Sequence, residues 1–263
     1  MLVDSVFKST WKREGIFIMK NFLLKNLGKN GIKELSIFIS FLIFYKISRY
    51  VAIGDANTAF ENARKLVDLE KSLGIFTEPI VQSFFLSKTA LIKFINTFYM
   101  YVHIPTTVVF FVWLFKKHND KYYWIRNGFI VANCIAVLFF IFYPCAPPRM
   151  FAEYGFVDTL LHISNVNLYT GFFAGFFNQY AAVPSMHFGN AFLIAMAVIL
   201  YAKRSYKWLI LIYPLFVLWV IVITANHFYL DAVLGGLIVV APYPLMWVVS
   251  NLVQYKIVVV KRC

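Results

Sequence analysis

Apolar residues run through this chain in long blocks separated by short basic stretches, and that spacing governs what it can fold into. Five blocks, at about 91–115, 126–144, 185–202, 208–225 and 229–253, are long enough to cross the roughly 30 Å hydrocarbon core of a bilayer as helices. A sixth, 35–53, carries Lys46 and Arg49 near its end. A membrane helix tolerates such cations when their long side chains snorkel to the interface or face polar partners inside a bundle. The pattern therefore predicts an all-α integral membrane protein built as a six-transmembrane-helix bundle over residues 35–254. A basic cytoplasmic segment, 1–34, precedes it and a short tail, 255–263, follows. Charges interrupt the apolar residues of the first 26 positions, so no cleavable signal peptide is expected there.

Two of the segments between spans are too long to be simple connections. In "TAFENARKLVDLEKSLGIFTEPIVQSFF", Phe60, Ala63, Leu66, Val67 and Leu73 oppose Glu61, Arg64, Lys65, Asp68 and Lys71. This predicts an extracytoplasmic amphipathic helix, broken at Gly74, lying on the outer leaflet. Glu61, Asp68 and Glu70 read as its polar face rather than as an acid/base pair. The second segment, 145–184, is rich in aromatics, Asn and Gly, and long outer loops of this kind usually carry function. No internal repeat or second, soluble domain is evident.

Charge sets the orientation. With a cytoplasmic N-terminus, 17 of the 25 Lys and Arg residues fall on inner segments, while eight of the twelve acidic residues fall on outer ones. That bias follows the positive-inside rule and puts both termini in the cytoplasm. The composition agrees: 61% hydrophobic, 19% aromatic and only 14% charged. The formal charge of +13 reads as topology and not as a nucleic-acid surface, because the basic residues sit between apolar runs. The cysteines, Cys134, Cys145 and Cys263, are odd in number and show no metal spacing. The first two, on one predicted helix, are about 16 Å apart at helical rise, beyond disulfide reach.

Three polar clusters interrupt the outer ends of the spans. In "AAVPSMHFGNAF", Pro184 precedes a span, so Ser185 falls at its N-cap or first turn and His187 just inside it. A helix N-terminus offers unpaired N–H groups and a positive dipole end, which suit a phosphate. In "TANHFYLDAVLGG", His227 and Asp231 are four apart and share a helical face, where a carboxylate can hold an imidazole in one tautomer. Gly235 continues that face and lets a second helix approach closely. In "YPCAPPRMF", a proline pair delivers Arg149, a planar fork of five donors, to the same side. Each cluster alone has a bland reading: Ser185 as a simple cap, the His227–Asp231 pair as a structural bond, Arg149 as a headgroup anchor. Ionisable groups placed together at one depth point instead to a phosphate site.

At these residues the chain resembles the type 2 phosphatidic acid phosphatase superfamily, in particular its inositol phosphorylceramide synthase-like (inositolphosphotransferase) branch. "AAVPSMH" is similar to that family's Pro-Ser-x-His motif, "NHFYLDAVLGG" to its H-x-x-x-D motif, and "YPCAPPRM" to the segment carrying its arginine. "NARKLVDLEKSLGIFTEPIVQ" is also similar to that branch, and the likeness runs from about residue 45 to 240. It implies catalytic roles for His227 as the nucleophile on phosphorus, Asp231 as its orienting partner, and His187 as proton donor and then acceptor. Arg149 and Ser185 would bind phosphate oxygens, and neither cofactor nor metal is implied. The chain departs from the family pattern at Phe142, where a lysine is usual, and at Val220 and Ile221, where Ser-Arg is usual. Lys46 and Arg49 are candidates to supply the missing charge.

The expected function is a membrane lipid phosphatase or phosphotransferase. Its partners would be a lipid phosphate or phospholipid substrate, the membrane, and in the transfer case an alcohol acceptor; no nucleic acid is expected. The site would face the extracytoplasmic or lumenal side. The alternative is a non-enzymatic membrane transporter or structural membrane protein, for which only His103, near mid-depth of a span, fits the pattern of a midplane ionisable group. Its bland reading is structural: the imidazole bonds a carbonyl freed by Pro105. His118 reads as a solvated loop residue, and His162 as a bystander in the outer loop.

Overall fold

The computed structural model describes residues 28–48, 54–167 and 178–260, and these are helical with no strand among them. The chain divides into two compact units, Met1–Ile47 and Ser48–Cys263. Helix α1, residues 28–48, falls in the first of these except for its last residue and carries Lys46; Arg49, most of the basic N-terminal segment and the last three residues of the tail lie outside the described residues. Everything that follows concerns the second unit.

Its helices are α2 (Ala56–Ser72), α3 (Glu78–Leu86), α4 (Thr89–Thr97), α5 (His103–Lys117), α6 (Asn119–Phe142), α7 (Thr159–His162), α8 (Met186–Tyr201), α9 (Ile212–Ile223), α10 (Tyr229–Val240) and α11 (Pro242–Val260). Among the described residues, four continuous helical stretches are long and apolar enough to cross a membrane: Thr89–Lys117, Asn119–Phe142, Ser205–Ile223 and Tyr229–Asn251. Three of these match predicted blocks within three residues at each end, and the fourth, predicted at 126–144, begins seven residues earlier at Asn119. The block at 185–202 becomes α8, whose 16 residues rise roughly 24 Å, apolar but short of a full hydrocarbon core. Exposed Ile104, Val109, Phe142, Leu200, Leu215, Leu237 and Trp247 coat the outside of the bundle. Apolar exposure on this scale belongs in lipid, and the chain is an integral membrane protein.

The longest stretch is not a uniform α-helix. A π-helical turn, Phe98–Val102, joins α4 to α5 immediately before His103 and Pro105. Proline cannot donate to the ladder, and widening the turn before it absorbs the mismatch. Thr106 and Thr107 donate their hydroxyls to the Val102 and His103 carbonyls, at 2.8 and 3.1 Å. The expected bond from the His103 ring to a freed carbonyl does not form, because its Nδ1 lies 3.0 Å from the Tyr213 hydroxyl instead.

Helix α2 starts where Asp55 accepts from the Thr58 N–H at 2.9 Å, and Gly74, in the left-handed region at φ 71°, turns the chain away after it. The face it buries differs from the one expected. Ala59, Asn62, Ala63, Val67 and Glu70 are inside, while Leu69 and Leu73 are half exposed. The helix packs on protein along that stripe: Asn62 donates to the Pro144 carbonyl at 3.0 Å and the Ala146 N–H to the Ala59 carbonyl at 3.1 Å. Glu70 is therefore a core residue and not part of a solvated face.

Helix α6 ends at Phe142, so Cys145 lies past its end, in a short parallel bridge with Ala181. The Cys145 N–H donates to Tyr180 and the Ala182 N–H to Cys145, at 2.7 and 3.2 Å, tying the two ends of the outer loop together. Helices α8 and α10 cross where Gly189 meets Gly235. A Cβ on Gly189 would stand 2.7 Å from the Gly235 carbonyl oxygen. Where lipid surrounds both helices, close packing of this kind supplies much of the association energy.

Candidate active site

Three helix ends meet through backbone bonds. The Arg149 N–H, in the 3-10 turn after α6, donates to the Ala225 carbonyl at 2.8 Å, and the Ser185 N–H at the start of α8 donates to the Asp231 carbonyl at 2.9 Å. The α9–α10 turn is built tightly. Ala225 sits at φ 50° and the Asn226 and His227 N–H groups fold back on the Ile221 carbonyl. Left-handed backbone costs an alanine about 1–2 kcal/mol, a strain offset by these bonds and by the Thr224 hydroxyl on Val220 at 2.8 Å.

His227 is buried, and its Nδ1 lies 2.8 Å from the Ala182 carbonyl and 3.4 Å from Asp231 Oδ2. A carbonyl oxygen only accepts, so Nδ1 carries a proton, and of the two neutral tautomers this contact selects the one with its lone pair on Nε2. The expected His227–Asp231 pairing is present but shared. Ala182 makes the shorter contact, and Asp231 Oδ2 also accepts from the Phe228 N–H at 2.9 Å.

The His187 ring lies 6.0 Å from that of His227, centroid to centroid, and is stacked on Tyr99 at 4.5 Å. Ser185 is the N-cap residue of α8, yet its side chain caps nothing and its buried Oγ has no hydrogen-bond partner. The simple-cap reading of Ser185 therefore fails. Arg149 is no headgroup anchor either, since its side chain is only 7% exposed. Its Nη1 donates to Asn226 Oδ1 and its Nε lies 3.7 Å from Asp158 Oδ2. Asn226 in turn donates to the Thr224 hydroxyl at 2.7 Å. Arg149, Ser185, His187, His227 and Asp231 thus belong to one connected region, with Tyr99, Asn226 and Asp158 as members that the sequence did not single out.

A family model described as the PAP2 superfamily matches residues 64–245. The chain belongs to the PAP2 superfamily. Neither curated proteins nor solved structures give a match. Membership supports lipid phosphatase chemistry in general terms and fits a lipid phosphate substrate within a membrane. The matched span covers α2 from Arg64 onward and all three polar clusters. The departures from the superfamily's motif pattern bring no charge to the region: Phe142 is 80% exposed, while Val220 and Ile221 are buried in the apolar core. His118 packs its ring 4.8 Å from Trp113 at the α5–α6 junction, and His162 is exposed at the end of α7.

Proposed function

We propose that this PAP2 superfamily member is a lipid phosphatase or phosphotransferase that works through a phosphohistidine on His227. The observation that carries the reading is the His227 ring itself. Its Nδ1 proton is committed to Ala182, its Nε2 lone pair is thereby available, and a second imidazole, His187, stands 6.0 Å away. Attack needs roughly 3–3.5 Å between reacting atoms, and proton transfer about 2.6–3.2 Å. Two rings at this separation can work on opposite sides of one phosphorus.

In the first step the Nε2 lone pair forms an N–P bond. The P–O bond to the lipid alcohol breaks, its electron pair stays on that oxygen, and protonated His187 supplies the proton. In the second, an acceptor hydroxyl gives its proton to His187 and its oxygen attacks phosphorus, and the N–P bond electrons return to Nε2. Ser185 Oγ and Arg149 donate to the phosphoryl oxygens as charge builds on them. Water as acceptor makes a phosphatase. An alcohol makes a transferase of the inositol phosphorylceramide synthase-like kind. The charge bias along the sequence favours six spans, cytoplasmic termini and a site on the extracytoplasmic or lumenal face.

The test is to incubate purified protein with phospholipids, polyprenyl phosphates and phosphosphingolipids, with and without alcohols. Released phosphate and new phosphodiesters are then measured, and acid-labile label on His227 is sought after rapid quench. Turnover that survives His227→Ala in a folded protein refutes the reading.

A further inference from the structure

Three carboxyl groups converge on the first turn of α10. Asp231 Oδ2 accepts from the Phe228 N–H at 2.9 Å, Glu78 Oε1 from the Tyr229 N–H at 3.0 Å, and Glu70 Oε1 from the Leu230 N–H at 2.8 Å. All three residues are completely buried. Glu70 comes from α2 and Glu78 from the start of α3, so two elements outside the polar clusters reach the residues that flank His227 and Asp231. A helix N-terminus leaves its first N–H groups unpaired and attracts negative charge, which explains one acid there but not three.

Three buried carboxylates would repel one another, and a phosphate beside them. The second oxygens resolve this. Glu70 Oε2 and Glu78 Oε2 are buried with no hydrogen-bond partner, while the other oxygens of the two carboxyls sit on adjacent N–H groups, so one proton placed between the pair would satisfy both. Two carboxyl groups can share a hydrogen bond only when one holds a proton. Burial, and then the neighbouring Glu78, push the Glu70 carboxyl up to about 9, the direction that a proton held by the pair requires.

We propose that Glu70 and Glu78 are positioning residues for His227: a carboxyl pair sharing one proton, which clamps the Tyr229 and Leu230 N–H groups and so holds Asp231 and the His227 ring in register. The proposal rests on the phosphohistidine reading. Neither glutamate touches the substrate; each acts through the turn that carries the nucleophile. The shared proton keeps that clamp rigid while limiting the negative charge behind an anion-binding site.

Glutamine and aspartate separate this from a mere need for charge. Glu70→Gln keeps the oxygen that accepts from Leu230 and replaces the shared O–H with an N–H donor to Glu78. Glu70→Asp keeps the acid but withdraws it by one methylene. The full-length protein and both variants, with Glu78→Leu as a third, would be assayed for kcat and KM on whichever lipid phosphate the panel identifies. Histidine labelled with nitrogen-15 would report the His227 tautomer by NMR in detergent, assigned with His227→Ala. Glu70→Gln should stay within about threefold of wild type with an Nδ1–H His227. Glu70→Asp and Glu78→Leu should lose about tenfold or more in kcat, with KM little changed and the tautomer signal mixed or lost. A wild-type tautomer in Glu70→Asp, or rescue by Asp and not by Gln, overturns the inference even if no lipid is turned over. A tautomer that responds as expected in a protein without phosphatase or transferase activity sinks the proposed function and leaves the clamp standing.

Discussion

Replacing Gly235 with alanine tests whether the α8–α10 crossing sets the site. A Cβ built there would stand 3.0 Å from the Ser185 carbonyl carbon and overlap the carbonyl oxygen beside it. Both are backbone atoms at the start of a helix and cannot swing aside as a side chain can. Carbon atoms pack best at about 3.5–4.0 Å, so the two helices must part by roughly 1 Å. Overpacking of this kind typically costs about 1–3 kcal/mol, which a bundle of this size can survive. The catalytic cost should be larger. The same movement stretches the 2.9 Å bond from the Ser185 N–H to the Asp231 carbonyl and draws His187, on α8, away from His227, before α10. A misplacement of about 1 Å between reacting groups lowers the rate by about 100-fold. Gly235→Ala should therefore fold, melt a few degrees lower, and lose about two orders of magnitude in kcat on the lipid phosphate it turns over. Gly236→Ala is the control, because its Cβ would meet side-chain ring atoms of Phe188 and Phe192, none nearer than 3.4 Å. Wild-type kcat within threefold in a folded Gly235→Ala would show that the close crossing does not govern the chemistry.

Three shorter predictions accompany it. Ser185→Ala removes a buried hydroxyl that bonds nothing, so thermal melting should hold or rise while kcat/KM falls by about 100-fold; a loss of stability without a loss of turnover would make Ser185 structural. Asp158→Asn keeps the bond from the Leu161 N–H but removes the negative charge facing Arg149, and should raise KM about threefold to tenfold with an unchanged melting temperature. Glu70 binds its proton more tightly in the folded chain, at about 9 against an ordinary 4.5, so the native state holds more protons than the unfolded one between those values. Stability must then fall as pH rises through that window. Wild type should lose more in melting temperature between about pH 7 and pH 9.5 than Glu70→Gln, which has no proton to release; equal losses would place the shared proton elsewhere.

The long apolar blocks were easy to read because a membrane helix must satisfy its backbone internally and so declares itself by length. The motif residues His187, His227, Asp231, Ser185 and Arg149 were readable too, and the structure brings their helix ends together. What the sequence hid was the support. Glu70 was assigned to a polar face because it is charged, yet it lies three residues after Val67, seven after Ala63 and eleven after Ala59, on the buried stripe. Spacing held the signal and residue type masked it. Glu78, Asp158 and Asn226 act across 151, 9 and 77 residues of chain respectively, on Tyr229 and Arg149, and no local pattern encodes such partners. Tyr99 lies in an otherwise ordinary apolar run, and its stacking on His187 depends on how α8 meets the π-helical turn.

Two helix N-termini meet at this site, and they are treated in opposite ways. At α10 the first N–H groups are taken by three carboxyls, so that end is already neutralised and has little left to offer an anion. At α8 the cap residue leaves its hydroxyl uncommitted, with no carboxylate bonded to it. A phosphate is drawn by dipole and hydrogen bonding to the open end and repelled from the acid-filled one. The substrate's charge should therefore lie over the start of α8, beside Ser185 and His187, with His227 approaching from the α10 side. That asymmetry gives the attack a direction. Filling the α8 end by Ser185→Asp should abolish binding of lipid phosphate altogether, whereas Glu78→Leu at the α10 end should weaken catalysis and leave binding intact. Vanadate or phosphate titration of both variants decides it, and tight anion binding by Ser185→Asp would reverse the assignment of the two ends.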